Sequence, residues 1–333
     1  MSDTNTVYEA LPGLSVPLGN AMKELTAMWS PEDESGKSRD NEYRASRMNL
    51  IVHIGFEASV EEAKELFQTV IEFSHRYPCR MIVLCPQPES WESKEDMSCK
   101  IFSECVFGKG AGGMSCCEVL ILGYTLHDRR FLENQVSIFL EADLPTYYWP
   151  TRFGSAEALS DYKFFFSQAE RILFDSTVES FSLDQLEVPK GDKVHDLSFS
   201  RLLPVRQCMG QFLSAFPKET IVEGLQKVTL AAPPSFKCEG KALMKWVDMA
   251  VTACFGSSEE RGEQVAFEQS ESEEGAPVIR FEYDSDRYIT FTFDLSKSEA
   301  HVEGDLGNGK QELTTGVRLL DAETALAEAL FFG

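Results

Sequence analysis

Residues 117–122 hold a short apolar run, Val119, Leu120, Ile121 and Leu122, closed by Gly123. A run without polar alternation predicts a strand covered on both faces. After Asp128 the period changes. Phe131, Leu132, Val136, Phe139 and Leu140 recur at spacings of three and four, which is one apolar face of an amphipathic helix. Pro145 stops that helix by disfavouring α conformation at Leu144, and the β-branched and aromatic residues 146–149 resume as a strand. Strand, helix, strand implies parallel neighbours in an α/β sheet.

The same grammar runs through the preceding residues. Leu18, Met22, Leu25, Met28 and Trp29 make a helical stripe, and residues 30–41 read as an exposed acidic loop. Residues 44–55 predict a strand with Arg44 and Arg47 at its start. Ser59 and Glu62 then match a capping box, and Ala63, Leu66, Phe67, Val70, Ile71 and Phe73 supply the buried face of the helix that follows. Residues 80–85 are the next strand. Residues 100–107 predict a further strand, joined to the one at 117 by the glycine-rich segment 108–113. That segment leads into a strand, whereas a Walker loop must open a helix and carry Lys-Ser/Thr, so it reads as a hairpin connection.

Residues 156–166 predict a helix and 171–175 a strand. Asp175 at the end of that strand is either a ligand position or, as we favour, a cap. A helix introduced from Asp196 turns Cys208, Met209, Phe212, Leu213 and Phe216 inward. Beyond Pro217 the texture differs. Residues 220–232 and Phe236 alternate as strands, 241–255 form a helix, and 257–275 are acidic and loop-rich. Then 278–283, 288–295 and 300–304 alternate with period two across short turns, an antiparallel meander. Residues 321–332 close as a helix. The expected fold is α/β: an N-terminal Rossmann-like, mostly parallel sheet domain over 1–216 and a C-terminal α+β domain with the meander over 217–333.

Composition narrows the function. A chain of 333 residues with 43% hydrophobic content suits two globular domains. With 54 acidic against 31 basic residues, the formal charge of -23 repels phosphate backbones and anionic lipids, so neither nucleic acid nor membrane is an expected partner. No signal-peptide pattern opens the chain and no apolar run approaches the roughly 20 residues of a bilayer span, so the expectation is a soluble cytoplasmic protein. The nine cysteines lack the spacing of a disulfide framework and are expected as reduced structural thiols. Cys79 with Cys85, and Cys99 with Cys105, are each separated by about 20 Å along a strand, too far to bridge. There is no nucleophile elbow, HExxH, Rossmann glycine fingerprint or Walker loop, and the five histidines are scattered. No cofactor or metal is implied.

An ordered set of segments carries a family resemblance. Leu11-Pro12-Gly13, Glu24-Leu25 with Trp29, the RASRMNLIV segment 44–52, the HRYPCRMIVL segment 75–84, the CEVLIL segment 117–122, Asp143-Leu144-Pro145 with Trp149, 171–175, 196–206 and 243–246 together resemble the OpcA family of glucose-6-phosphate dehydrogenase assembly or activator proteins. Two positions depart from its pattern: Tyr148-Trp149 stands for a tryptophan pair, and Val205-Arg206 for Trp-Arg. Redox control, linked to some members, is not carried over. The resemblance implies a non-catalytic protein that binds the dehydrogenase and promotes its assembly or active state, supporting the oxidative pentose phosphate pathway.

The polar residues recurring in those segments are Arg44, Arg47, His75, Arg80, Asp143, Asp196, Arg201 and Arg206. With Trp149 they are the candidate contacts to a partner or an anion, since arginine forks pair with carboxylate or phosphate. Their alternative use is to tie loops together within one domain. Two readings follow: a binding protein for the dehydrogenase, or a sugar-phosphate sensor or enzyme with an arginine-lined pocket at the carboxyl edge of the first sheet. Arginines converging on an open cleft favour the second, and pairing with Asp143, Asp175 or Asp196 favours the first.

Overall fold

The computed structural model describes residues 6–28, 42–43, 46–89, 97–107, 114–188, 193–255, 265–272 and 275–332. The chain divides into two units, residues 1–197 with 326–333, and residues 198–325.

The first unit is built on β1 (Leu14–Val16), β2 (Glu42–Tyr43), β3 (Asn49–Ile54), β4 (Arg80–Gln87), β5 (Met97–Phe107), β6 (Met114–Thr125), β7 (Thr146–Thr151), β8 (Arg171–Phe174) and β9 (Val194–Asp196). Its helices are α1 (Val7–Ala10), α2 (Ala21–Ala27), α3 (Val60–Arg76), α4 (Arg129–Phe139), α5 (Ala156–Ser160) and α6 (Lys163–Gln168). The strand order is β1-β5-β6-β4-β3-β7-β8-β9, with β2 beside β6. From β6 to β9 every pairing is parallel, while β5 joins β6 antiparallel and β1 joins β5 antiparallel.

The unbroken apolar runs follow from two-sided burial. Successive side chains of a strand point to opposite faces, so Leu50 and Val52 of β3 go to one core layer with Phe67, Val70 and Ile71 of α3. Ile51 goes to the other, with Leu132, Val136 and Phe139 of α4. The capping box at Ser59 and Glu62 is formed as the spacing predicts. The helix expected over 156–166 is broken into α5 and α6 around Asp161 and Tyr162.

The second unit contains α8 (Leu203–Leu213), α9 (Lys218–Val222), β10 (Leu225–Ala232), α10 (Lys237–Phe255), β11 (Ala266–Glu271), β12 (Val278–Tyr283), β13 (Tyr288–Asp294), β14 (Glu299–Asp305) and β15 (Gln311–Gly316), and α7 (Leu197–Arg201) leads into it. Its sheet runs β11-β10-β12-β13-β14-β15. The meander is antiparallel as expected, whereas β11 lies parallel to β10 after the α10 crossover. Ile279, Phe281, Ile289, Phe291 and Phe293 form its core with Val205, Met209 and Phe212 of α8.

That core moves the division upstream of the expected boundary at 216. The apolar side of α8 is buried in the second unit, so the units part at 197/198. The closing helix, Ala322–Phe331, was expected with the second domain. Its residues from 326 belong to the first unit, where Leu326, Ala329 and Leu330 join the α3 layer and Phe331 stacks on Phe73 and lies tilted against Tyr77. Arg171 Nη1 holds the Ala329 carbonyl at 2.8 Å. Residues 220–224, expected as strand, are instead the end of α9 and a Gly224 turn.

One cysteine departs from the expectation of reduced thiols: Cys105 is disulfide-bonded. Antiparallel β5–β6 pairing sets it opposite residue 116 in backbone register. Cys79, Cys85, Cys99, Cys117, Cys208, Cys238 and Cys254 are free.

Candidate functional site

In an open parallel sheet, ligands enter the crevice beyond the carboxyl ends of the strands where the connection order reverses. The chain runs β3, β4, β6 to one side and then β7, β8, β9 to the other, so the reversal lies between β3 and β7. The loops leaving these two strands are bonded to each other. Gly55 N–H donates to the Thr151 carbonyl at 2.7 Å, and Glu57 N–H donates to the Arg152 carbonyl at 3.2 Å. A Cβ on Gly55 would stand 2.1 Å from the Arg152 oxygen, so only glycine permits this approach.

An arginine and two carboxylates follow these loop contacts. Arg152, at φ 62°, reaches Glu62 at 2.8 Å, and its N–H and that of Phe153 both donate to the Glu179 carboxylate. Burial pushes the Glu179 pKa up, opposed by those backbone donors. The N-terminus of α3, where a Rossmann fold holds pyrophosphate, is filled by its own cap: Glu62 accepts from Ser59 N–H at 2.9 Å, and Ser59 Oγ accepts from Glu62 N–H at 3.2 Å. Ser59 N–H and Ser59 Oγ both donate to the Glu62 carboxylate and hold it below its usual range. At the end of β8, Asp175 accepts from Thr177 N–H and Oγ1, so it caps a turn, and Asp196 accepts from Ser176 N–H at 3.2 Å.

The predicted arginines lie elsewhere and do not gather at one place. Arg80 is the first residue of β4, so it lies at the amino edge of the sheet, opposite the carboxyl edge where an anion pocket was expected. It is 2% exposed; Nε and Nη2 meet Glu118 at 3.1 and 2.7 Å, Nη2 meets Glu141 at 2.6 Å, and Nη1 donates to the Phe139 carbonyl at 3.2 Å. Asn49 beside it donates to the Glu141 carbonyl and accepts from Glu141 N–H. The tie therefore spans β3, β4, β6 and the turn after α4. Its partners are glutamates, in place of the aspartates expected.

Arg47, His75 and Asp143 lie at the same edge. Arg47 is exposed and its backbone N–H bonds Pro78; His75 meets Glu104 at 3.1 Å; Asp143 is exposed in the turn before β7. Arg44 falls outside the described residues. Trp149 is a core residue, 5% exposed, whose buried indole N–H has no acceptor among the described residues, so it does not form a surface contact. Arg201 and Arg206 belong to the second unit. Arg201 Nε pairs with Glu239 at 3.0 Å, and the Arg206 guanidinium lies 3.8 Å over the Phe199 ring.

A buried polar chain was missed. His53 on β3 has Nδ1 2.8 Å from Tyr148 Oη and Nε2 2.6 Å from Tyr124 Oη, and Tyr124 Oη donates to Tyr162 Oη at 2.8 Å. With Tyr124 donating onward, Nε2 carries the proton and Nδ1 accepts from Tyr148, so one neutral tautomer satisfies the ring on both sides. Burial lowers the His53 pKa to about 3. The phenols of Tyr124 and Tyr148 are pushed well above their ordinary value by the same burial. Three tyrosines in otherwise apolar stretches were the available signal.

Among the described residues no group of three or more potential metal ligands is assembled, and no helix is long and apolar enough to cross a membrane. Comparison with protein-family models and with curated proteins found no match for this chain.

Proposed function

We propose that this chain is a binding protein that acts through its surface, with its charged interior groups serving to hold its own frame. The particular role we infer is that of an assembly factor or activator of glucose-6-phosphate dehydrogenase, acting in the cytoplasm. The observation that carries the first step is the tie at Arg80. A guanidinium 2% exposed and shared between two glutamates has no face left for a phosphate. The contact between the loops after β3 and β7 supports the same reading, because the Arg152 guanidinium there is paired with Glu62 and the Glu179 carboxylate is taken up by backbone N–H groups. The second step rests on the ordered sequence resemblance.

An activator works by binding one state of its partner more tightly than another. It needs complementary surface and no reacting group. The test is to measure assembly and rate of the purified dehydrogenase with and without this chain, together with co-sedimentation of the two. A complex with a raised rate or a raised active fraction is expected; unchanged kinetics with no complex removes the proposal.

A further inference from the structure

The connection between β14 and β15, residues 306–310, holds Asn308-Gly309, the one place in the sequence where glycine follows asparagine. The turn is pinned on either side of Asn308. Leu306 is buried, and Asp305 Oδ1 accepts from Gly307 N–H at 2.8 Å and from Gly309 N–H at 3.2 Å. Asn308 itself is exposed, and its side-chain amide has no hydrogen-bond partner among the described residues. Gly309 has φ 94°, and a Cβ there would meet nothing within 4 Å, so the space beside its nitrogen is open.

The other asparagines are placed differently. Asn49 is buried in β3, with its side chain bonded to the backbone of Glu141 and Leu144. Asn20 is followed by Ala21, whose N–H donates to the Leu18 carbonyl, and Asn134 lies within α4. Asn5 and Asn41 fall outside the described residues and precede Thr6 and Glu42, which carry side chains. The next backbone nitrogen reaches an asparagine side-chain carbonyl only where that nitrogen is unhindered and the backbone can turn, and glycine permits both.

We propose that Asn308 is a site of spontaneous covalent modification, with water as the co-reactant. Solvent base removes the Gly309 amide proton, and the nitrogen bonds to Asn308 Cγ. The Cγ–Nδ2 bond breaks, and Nδ2 takes up a proton and leaves as ammonia. Water then opens the cyclic imide at either carbonyl, giving an aspartyl residue or an isoaspartyl one whose chain runs through the side-chain carboxyl group. Either product adds a negative charge to a chain whose formal charge is already -23. The isoaspartyl form also adds a methylene to the backbone of the turn, next to the point where Lys310 pairs with Glu303 and Glu312 across β14 and β15. Asp305 restrains the step, because its carboxylate accepts the proton-bearing N–H that must be given up and holds that nitrogen in the turn.

Incubating the folded full chain at two pH values, resolving acidic species by ion exchange and locating them by peptide mass mapping tests this. Acidic species that map to residue 308 should accumulate, faster by about tenfold for each unit of pH because the reacting form is the deprotonated amide. Asn308→Gln, whose longer side chain disfavours ring closure, should abolish them. Asp305→Ala should speed their formation by about twofold to tenfold, the worth of one hydrogen bond. A wild-type chain that forms no acidic species, species that map to another asparagine or persist in Asn308→Gln, a rate indifferent to pH, or an Asp305→Ala rate no faster than wild type would each overturn the proposal.

Discussion

The two edges of the first sheet are both closed, and they are closed by different physics. At the amino edge a long side chain does it: Arg80 reaches from β4 to carboxylates on β6 and after α4, in a place that water scarcely enters. At the carboxyl edge the backbone does it. Gly55 lets two loops touch, and Glu179 gathers the N–H groups left over. A buried ion pair is sensitive to loss of either partner, because the survivor is left charged and dry. A backbone contact is sensitive only to bulk. At the crevice between β3 and β7 the two loops are joined backbone to backbone.

The largest expected effect is at the amino edge. Arg80→Met leaves Glu118 buried without its counter-charge and should cost about 3–5 kcal/mol in urea unfolding. Adding Glu118→Leu should recover most of that loss. If Arg80 served a ligand instead, the single variant would unfold near the wild-type midpoint.

At the carboxyl edge Gly55→Ala forces the β3 and β7 loops apart and should cost about 1–3 kcal/mol by the same measurement. No change would mean that the loops part easily and that the crevice is open in solution.

Between the edges, His53 sets a pH dependence. Its folded pKa of about 3 lies below the unfolded value near 6.5. Between those values the unfolded chain binds a proton that the folded chain refuses, so stability is full above pH 6.5 and falls as pH drops toward 3. The loss by pH 5 is about 2 kcal/mol. In His53→Gln this contribution to the slope of stability against pH should vanish, whatever the variant's stability at pH 7.

The smallest effect is on the surface. Arg47→Ala and Asp143→Asn should each change stability by less than about 0.5 kcal/mol. A measurable loss of dehydrogenase binding in either would place the partner contact at the amino edge.

Much of the fold was legible because burial writes itself into period. Apolar runs such as 119–122 marked strands covered on both faces, and the three-four spacing of 131–140 marked α4. The domain boundary was harder. The apolar side of α8 announces that it is buried but not in which core, and Leu326 and Leu330 carry the same ambiguity. The candidate site was only half legible. Sequence singled out Arg80, yet its partners Glu118 and Glu141 depend on strand register and on the turn after α4, which no spacing gives. Cys105 was more accessible: residues 105 and 116 are equidistant from the centre of the 108–113 connection, so a hairpin there already implies their pairing. His53 is a polar residue in an apolar strand, and its hydrogen-bond partners Tyr148 and Tyr124 come from two other strands.

The most direct test of the central claim is calorimetric titration of the folded chain with two ligands, the purified dehydrogenase and a sugar phosphate. The account predicts saturable binding of the dehydrogenase and no heat from the sugar phosphate. Stoichiometric sugar-phosphate binding, with none of the dehydrogenase, would contradict it.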